Sequence, residues 1–197
     1  MDVCKAKIQS DGSLDNLKLR IVVRGDLQNK GMVGDTWSPT ASRRTLKHFL
    51  ADGAKHKARV HQLDFIGAFL QAKVKNRVFV KLDMRYADYS PEYEHYFGRA
   101  LKLLKSMYGM TNYVKLFADE MTEWLIEEGF MQSQCQMSIY YKYAPDGSKI
   151  VVLSHVDDCV YWYTNEDIGK WFVYTLGKRS HVNFLGFEHW FLSIIIF

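Results

Sequence analysis

Three aspartates stand at the ends of apolar segments, where a carboxylate is well placed to hold a metal ion. Asp157 and Asp158 directly follow the largely apolar residues 151–156, and Asp64 ends another short apolar segment. Neighbouring side chains of a strand point to opposite faces, so Asp157 and Asp158 are not expected to share one role. Burying such charges beside apolar residues is costly unless a cation or hydrogen bonds compensate. If the two strand ends converge at one sheet edge, these oxygens suit Mg²⁺ bound together with substrate phosphates.

Each aspartate also has a purely structural interpretation. An Asp-Asp pair is common in surface hairpin turns, and Asp64 could cap the start of a helix. A pair of Mg²⁺ ions, by contrast, can clamp the attacking and leaving oxygens of a phosphoryl displacement. The three residues taken alone leave both interpretations open.

The elements that would position these aspartates are a mixture of strands and helices. Apolar or alternating segments predict strands over residues 17–24, 60–65, 78–82, 138–143, 149–156 and 159–163, and from 190 onward. Helical spacing and capping residues predict a helix that starts at 37–40, and helices over 114–125 and 165–178. Turns are predicted at 11–12 and 145–147, and a loop over 83–99. This irregular order predicts an α+β fold with an antiparallel sheet rather than a doubly wound parallel sheet.

The composition is that of one globular domain. The chain has 197 residues and 48% of them are apolar, which excludes a disordered polypeptide. The net charge of +4 is uneven, because residues 1–60 carry 12 basic and 6 acidic side chains while residues 61–197 carry 14 and 16. Three distant cysteines make a disulfide framework or a cysteine-based zinc site unexpected.

Two further classes of protein are excluded by what the sequence lacks. No apolar stretch approaches the roughly 20 residues that span a bilayer, and no phosphate-binding P-loop motif occurs.

Six short segments decide between the interpretations of the aspartates. They are residues 18–25 (KLRIVVRG), 36–39 (TWSP), 63–70 (LDFIGAFL), 105–110 (KSMYGM), 155–158 (HVDD), and 184–186 with 190–194 (FLG and WFLSI). In this order they resemble K-A-R-L-V-A-R-G, T-F-S-P, L-D-V-x-x-A-F-L, K-S-L-Y-G-L, Y-V-D-D, and the L-G and Y-F-L-G-I segments of copia-type (Pseudoviridae) retrotransposon reverse transcriptases. Six ordered matches across residues 17–194 are far more specific than any one alone.

The resemblance implies a right-hand polymerase built of fingers and palm, with an antiparallel palm sheet flanked by helices and the thumb largely missing. Residues 1–60 would be fingers-like, residues 61–187 mainly palm, and residues 188–197 the start of the primer grip. We expect a piece of a longer polyprotein that also contains integrase and RNase H segments. The family's location is intracellular, in a cytoplasmic virus-like particle or the nucleus, and no membrane association is expected.

The implied activity is RNA-directed DNA synthesis, in which a primer 3′-hydroxyl attacks the α-phosphate of a dNTP on an RNA or DNA template. Asp64, Asp157 and Asp158 would be the catalytic carboxylates. Two Mg²⁺ ions, with Mn²⁺ as an alternative, would be bound by these residues and the Phe65 carbonyl. The implied nucleotide-binding residues are Lys18, Arg20, Arg24, Tyr108, Gly109 and Asn112. The implied primer-grip residues are Trp190, Phe191 and Leu192, although ordinary packing explains the aromatic and apolar residues of both sets equally well.

The chain departs from the family pattern in two places. Residues 111–117 (TNYVKLF) stand where K-Q-x-P-R-x-W is expected, so Asn112 replaces a glutamine expected near the incoming nucleotide, and Lys115 replaces an arginine. His155 replaces the tyrosine of Y-V-D-D. A second hypothesis is therefore a degenerate, non-catalytic remnant that at most binds nucleic acid through its basic first third. A third, weaker hypothesis is an unrelated Mg²⁺-dependent phosphotransferase.

Overall fold

The computed structural model describes residues 2–8, 11–82, 91–186, 190–192 and 194–195. The strands are β1 (Asp2–Ile8), β2 (Leu14–Ile21), β3 (Val60–Phe65), β4 (Phe79–Lys81), β5 (Ala100–Lys102), β6 (Met131–Gln132), β7 (Ile139–Tyr143), β8 (Lys149–His155), β9 (Asp158–Tyr163), β10 (Val182–Gly186), β11 (Trp190–Phe191) and β12 (Ile194–Ile195). The helices are α1 (Lys30–Val33), α2 (Arg43–Lys55), α3 (Ala68–Gln71), α4 (Tyr113–Glu127) and α5 (Glu166–Arg179), and 3₁₀ turns cover Gly25–Leu27 and Pro91–Tyr96.

A six-stranded antiparallel sheet in the order β10-β3-β9-β8-β7-β6 forms the centre of the fold. The β7–β8 hairpin turns at Gly147, whose φ of +82° is readily adopted by glycine. The pairs β1–β2, β4–β5 and β11–β12 form separate antiparallel ladders. The prediction of an α+β fold with an antiparallel sheet is therefore confirmed.

Both faces of the central sheet are covered, as β8 shows residue by residue. Ile150 and Val152 pack with α4 and α5 on one face, whereas Val151 and Leu153 pack with α2 and Phe191 on the other. Side chains alternate along a strand, so covering both faces requires a continuous apolar run rather than an alternating one. This explains why β8 is apolar at four successive positions.

The helices over 114–125 and 165–178 are confirmed as α4 and α5, but the start of α2 was predicted too early. Ser42 caps this helix, because its Oγ accepts a hydrogen bond from the Thr45 N–H at 3.1 Å. The preceding residues 34–41 form no regular helix or strand, and Ala41 is buried in the core. The capping residues expected within 37–40 do not cap the helix, and Ser42 takes that place.

Three other boundaries differ from the predictions. β2 ends at Ile21 instead of residue 24. The Val23 N–H donates to the Tyr108 carbonyl at 2.9 Å, so this part of the chain no longer pairs with β1. The loop predicted over 83–99 contains the 3₁₀ turn Pro91–Tyr96, and its residues 83–90 lie outside the described residues. The strand predicted from 190 is instead the short β11–β12 hairpin. No helix in the described part of the chain is both long and apolar enough to cross a membrane.

Candidate active site

Two of the predicted aspartates lie directly opposite each other in the central sheet. Asp64, near the end of β3, is in register with Asp158, the first residue of β9. Residues in register on paired strands share a face, with Cβ atoms about 4.5–5.5 Å apart. Asp158 is also in register with His155 of β8, and Asp64 with Asn183 of β10. We call these four residues the polar row.

A tight, strained turn presents the third aspartate. Asp157 lies in the two-residue turn between β8 and β9, next to Val156, whose φ is +60°. A β-branched residue in the left-handed region is unfavourable by about 1–3 kcal/mol, and such strain is concentrated at functional sites. The Asp157 carbonyl accepts a hydrogen bond from the Phe65 N–H at 3.3 Å. The turn is thereby attached to the strand end that carries Asp64.

The electrostatics of the site show that its carboxylates interact. Burial raises the pKa of Asp158, the negative charges of Asp157 and Asp64 raise it further, and His155 acts in the opposite direction. Close carboxylates raise one another's pKa because each disfavours a second negative charge. A divalent cation relieves this repulsion, so the all-oxygen donor set fits Mg²⁺ chemically. Within the described residues, however, no three His, Cys, Asp or Glu side chains are already arranged to hold a metal ion.

The His155 end of the polar row lies against an apolar side chain. The His155 ring contacts Phe191 edge-on with centroids 6.4 Å apart, and its buried Nδ1 has no hydrogen-bond partner among the described residues. Cys159 follows Asp158 but faces the opposite core, and burial raises the pKa of its thiol to about 12. Cys159 is therefore a protonated packing residue rather than a nucleophile.

The cationic side chains predicted to bind the nucleotide differ in the partners that they already contact. The Arg20 guanidinium lies 5.3 Å from the centre of the Tyr108 ring, a cation–π distance. Arg24 donates to Asp26 at 2.6 and 2.8 Å, and both side chains are exposed. This pairing raises the pKa of Arg24 and lowers that of Asp26. Lys18 is in β2 opposite Lys5, but its side chain lies outside the described part.

The remaining predicted nucleotide-binding residues lie in the segment that leads into α4. Tyr108 packs edge-on against Phe69 of α3, with ring centroids 5.6 Å apart. Gly109 has a φ of +88° and lies against the backbone of Val23. Asn112 is only 9% exposed, and its Nδ2 donates to the Val33 carbonyl at 3.2 Å. The Asn112 side chain is thus bonded to the protein's own backbone, which its position in the sequence did not indicate.

The predicted primer-grip residues form part of the packing on the α2 face. Phe191 is 3% exposed and belongs to the core cluster of α2, β8 and β9, and Leu192 packs at its edge. Leu192 has a φ of +50° in the turn between β11 and β12. The side chain of Trp190, and residues 187–189, 193 and 196–197, lie outside the described residues.

Sequence reasoning missed two residues beside the predicted site. Asn183 is in register with Asp64, and its only sequence signal is its place immediately before the matched segment FLG. Thr111 is hydrogen-bonded to Gly25, 86 residues away along the chain. Both become visible only through strand register or long-range contacts.

The comparisons with known proteins identify the family of the chain. The family described as Reverse transcriptase (RNA-dependent DNA polymerase) matches residues 3–197, and the chain belongs to that family. Its relatives are polyproteins of copia-type retrotransposons, which confirms the resemblance noted in the sequence.

Two plant relatives illustrate the extent of the similarity. The Retrovirus-related Pol polyprotein from transposon RE2 of Arabidopsis thaliana is 27% identical over 190 residues, which are 95% of this chain and 13% of that polyprotein. The corresponding polyprotein from transposon TNT 1-94 of Nicotiana tabacum is 26% identical over 160 residues, 79% of this chain and 11% of the relative. The chain thus spans about an eighth of the length of these relatives. No solved structure matches it significantly.

Proposed function

We propose that this chain is the fingers and palm part of an RNA-directed DNA polymerase that transfers a nucleotide from a dNTP to a primer 3′-hydroxyl. Residues 1–60 would contact template and triphosphate, residues 61–187 would form most of the palm, and residues 188–197 would begin the primer grip. Integrase and RNase H segments would belong to the same polyprotein. Membership of the reverse transcriptase family supports this proposal.

The single observation that carries the proposal is the register of Asp64 with Asp158 beside the strained Asp157 turn. Two carboxylates on one sheet face, with a third attached to the same strand end, form a concentrated negative site. Such a site would be unfavourable without a bound cation. A surface hairpin turn needs neither the cross-strand partner nor the strain at Val156.

Asp64 and Asp157 would hold the two Mg²⁺ ions with the Phe65 carbonyl, and Asp158 would support them less directly. When bound, the ions lower the pKa of the attacking hydroxyl and offset charge on the triphosphate. The chain's own contribution is to fix the positions of the reacting groups, which is the larger part of phosphoryl-transfer catalysis. Arg20, Arg24 and Lys18 would face the phosphates, and Tyr108 and Gly109 would border the nucleotide. Asn112, predicted to do the same, is buried and bonded to the Val33 carbonyl, so it would act on the nucleotide only through the backbone that it holds. Trp190, Phe191 and Leu192 would support the primer end.

Primer extension on an RNA template with Mg²⁺ tests this function. We expect the wild type to incorporate dNTPs, and Asp64→Asn and Asp157→Asn to lose roughly 100-fold or more of kcat, because each removes a charge that acts on the transition state. Asp146→Asn is the matched control. Asp146 occupies the turn at the other end of β8, where its Oδ1 accepts from Ser148, and an asparagine retains that acceptor.

Three results are distinguishable. Equal incorporation by the wild type and Asp157→Asn would contradict a catalytic role for the carboxylates. No incorporation by a folded wild type, together with salt-dependent binding of an RNA–DNA duplex, would favour the non-catalytic remnant. Loss of activity in Asp146→Asn as well would show that the substitutions act through folding rather than through the site.

A further inference from the structure

The loop that leaves β2 is attached to the segment before α4 by hydrogen bonds from two consecutive residues. The Thr111 Oγ1 donates to the Gly25 carbonyl at 3.1 Å, and the Thr111 N–H donates to Gln28 Oε1 at 3.1 Å. The Asn112 Nδ2 donates to the Val33 carbonyl at 3.2 Å. We call residues 23–33 the basic loop and these contacts, with the bond from Val23 to Tyr108, the clasp.

Two glycines allow the backbones to meet closely enough for the clasp to form. A Cβ at Gly25 would lie 1.9 Å from the Gly109 carbonyl oxygen, and a Cβ at Gly109 would lie 2.3 Å from the Val23 carbonyl oxygen. Both obstacles are backbone atoms, which cannot rotate away as a side chain can. The two segments therefore fit in one arrangement, with little room for sliding.

A continuous set of contacts joins the clasp to the carboxylate-bearing strand. Phe69 of α3 packs edge-on against Tyr108 and against Tyr113, with ring centroids 5.6 and 4.5 Å apart. The Ser106 Oγ donates to the Phe69 carbonyl. α3 begins only four residues after Asp64. The packing of Phe69 on the clasp therefore also holds the end of β3 that carries Asp64.

We propose that Thr111 and Asn112 are positioning residues, which hold the basic loop with Arg24, and the adjoining end of β2 with Arg20, in a fixed orientation toward the carboxylates. This inference rests on the proposed function. Asn112 is buried and its amide donates to a backbone carbonyl, so its role is to hold the loop rather than to touch the nucleotide. The departure from the family pattern at 111–112 thus has a structural use in this chain.

Hydrogen exchange of the free protein tests the clasp without any need for activity. In Thr111→Val, which removes one hydroxyl donor and keeps the side-chain shape, the amides of Val23, Leu27 and Gln28 should exchange about fivefold faster, the effect of one lost hydrogen bond. Thr111→Ser retains the hydroxyl and should restore slow exchange. Thr122→Val is the matched control, because its Oγ1 donates to the Ala118 carbonyl on the same helix, away from the loop.

Steady-state primer extension tests the consequence for the reaction. Thr111→Val should raise the KM for dNTP about fivefold and leave kcat within about twofold, because the arginines meet the triphosphate less often in the correct orientation. Asn112→Asp, which replaces the donor by an acceptor, should shift KM in the same direction.

The outcomes separate this inference from the proposed function. Unchanged loop exchange in Thr111→Val and Asn112→Asp, or an equal change in Thr122→Val, would overturn the clasp. Faster loop exchange with no change in KM would overturn the positioning role. A wild type that extends no primer would overturn the proposed function and the positioning role with it, while the exchange data would still decide whether the clasp exists.

Discussion

Arg24 illustrates how a local contact changes what a residue can do. Its guanidinium is paired with Asp26, two positions further along the chain, in a nearly bidentate geometry. Both side chains are 59% exposed, so the pair adds little to stability, but it occupies the guanidinium with a carboxylate of the chain itself. A nucleotide that uses Arg24 must therefore displace Asp26.

We expect Asp26→Asn to lower the KM for dNTP, because it removes the charge that competes for Arg24. The measurement is steady-state primer extension with the single variants Asp26→Asn and Arg24→Ala and the double variant. In the Arg24→Ala background, Asp26→Asn should have no further effect. An equal decrease in KM with and without Arg24 would show that Asp26 acts through the general field and not through this pair.

At the scale of elements, the packing of α5 on β9 depends on a close approach at one glycine. A Cβ at Gly169 would lie 2.4 Å from the Tyr163 ring, whose hydroxyl donates to Glu166 at 3.2 Å and whose face stacks on His61. Gly177, two turns later on the same helix, has its nearest neighbour at an ordinary 3.9 Å. Gly169 thus leaves no room for a methyl group, whereas Gly177 does.

Two alanine substitutions on α5 should therefore change stability in opposite directions. Gly169→Ala should destabilise the fold by about 1–3 kcal/mol, because the Tyr163 ring must move. Gly177→Ala should stabilise it by roughly 0.5–1 kcal/mol through helix propensity. Urea denaturation followed by circular dichroism measures both values. A stabilising Gly169→Ala would show that Tyr163 gives way without loss of packing.

At the scale of the whole molecule, the charge is distributed unevenly over the elements. The basic excess of residues 1–60 lies in β1, β2, the basic loop and α2, while the interacting aspartates lie on the central sheet. Because the pKa of Asp158 is raised, the folded state holds its proton more tightly than the unfolded chain does. Without a cation, this group therefore lowers stability as the pH rises through the range above its ordinary value of 3.8.

Added Mg²⁺ should raise the melting temperature at neutral pH, because it binds the ionised carboxylates. At a concentration about ten times the dissociation constant the gain is about 1.4 kcal/mol, or roughly 3–6 °C for a chain of this size. The gain should vanish in acid as the carboxylates become protonated. Thermal unfolding with MgCl₂ and with a chelator measures it, and Asp146→Asn should respond like the wild type. A full response in Asp64→Asn would place the ion elsewhere.

Much of the fold follows from local patterns in the sequence. The helices α4 and α5 follow from helical spacing, α5 also from its capping Asn165, and the β7–β8 hairpin from an Asp-Gly turn. All of these signals act within a few residues. The Asp64 and Asp157-Asp158 segments could be singled out for the same reason, since each combines charge with an adjoining apolar run. The beginning of α2 could not, because the chain passes the capping residues expected at 37–40 and the helix begins only after the buried Ala41.

The sequence by itself determined which residues could do chemistry, because residue type and neighbouring pattern are local properties. Only the tertiary structure decided which of them meet. Asp64 and Asp158 are 94 positions apart, and strand register alone places them face to face and adds His155 and Asn183 beside them. The burial of Asn112 against Val33 likewise depends on contacts between segments far apart in the sequence. Neither segment taken alone indicates that the two will meet.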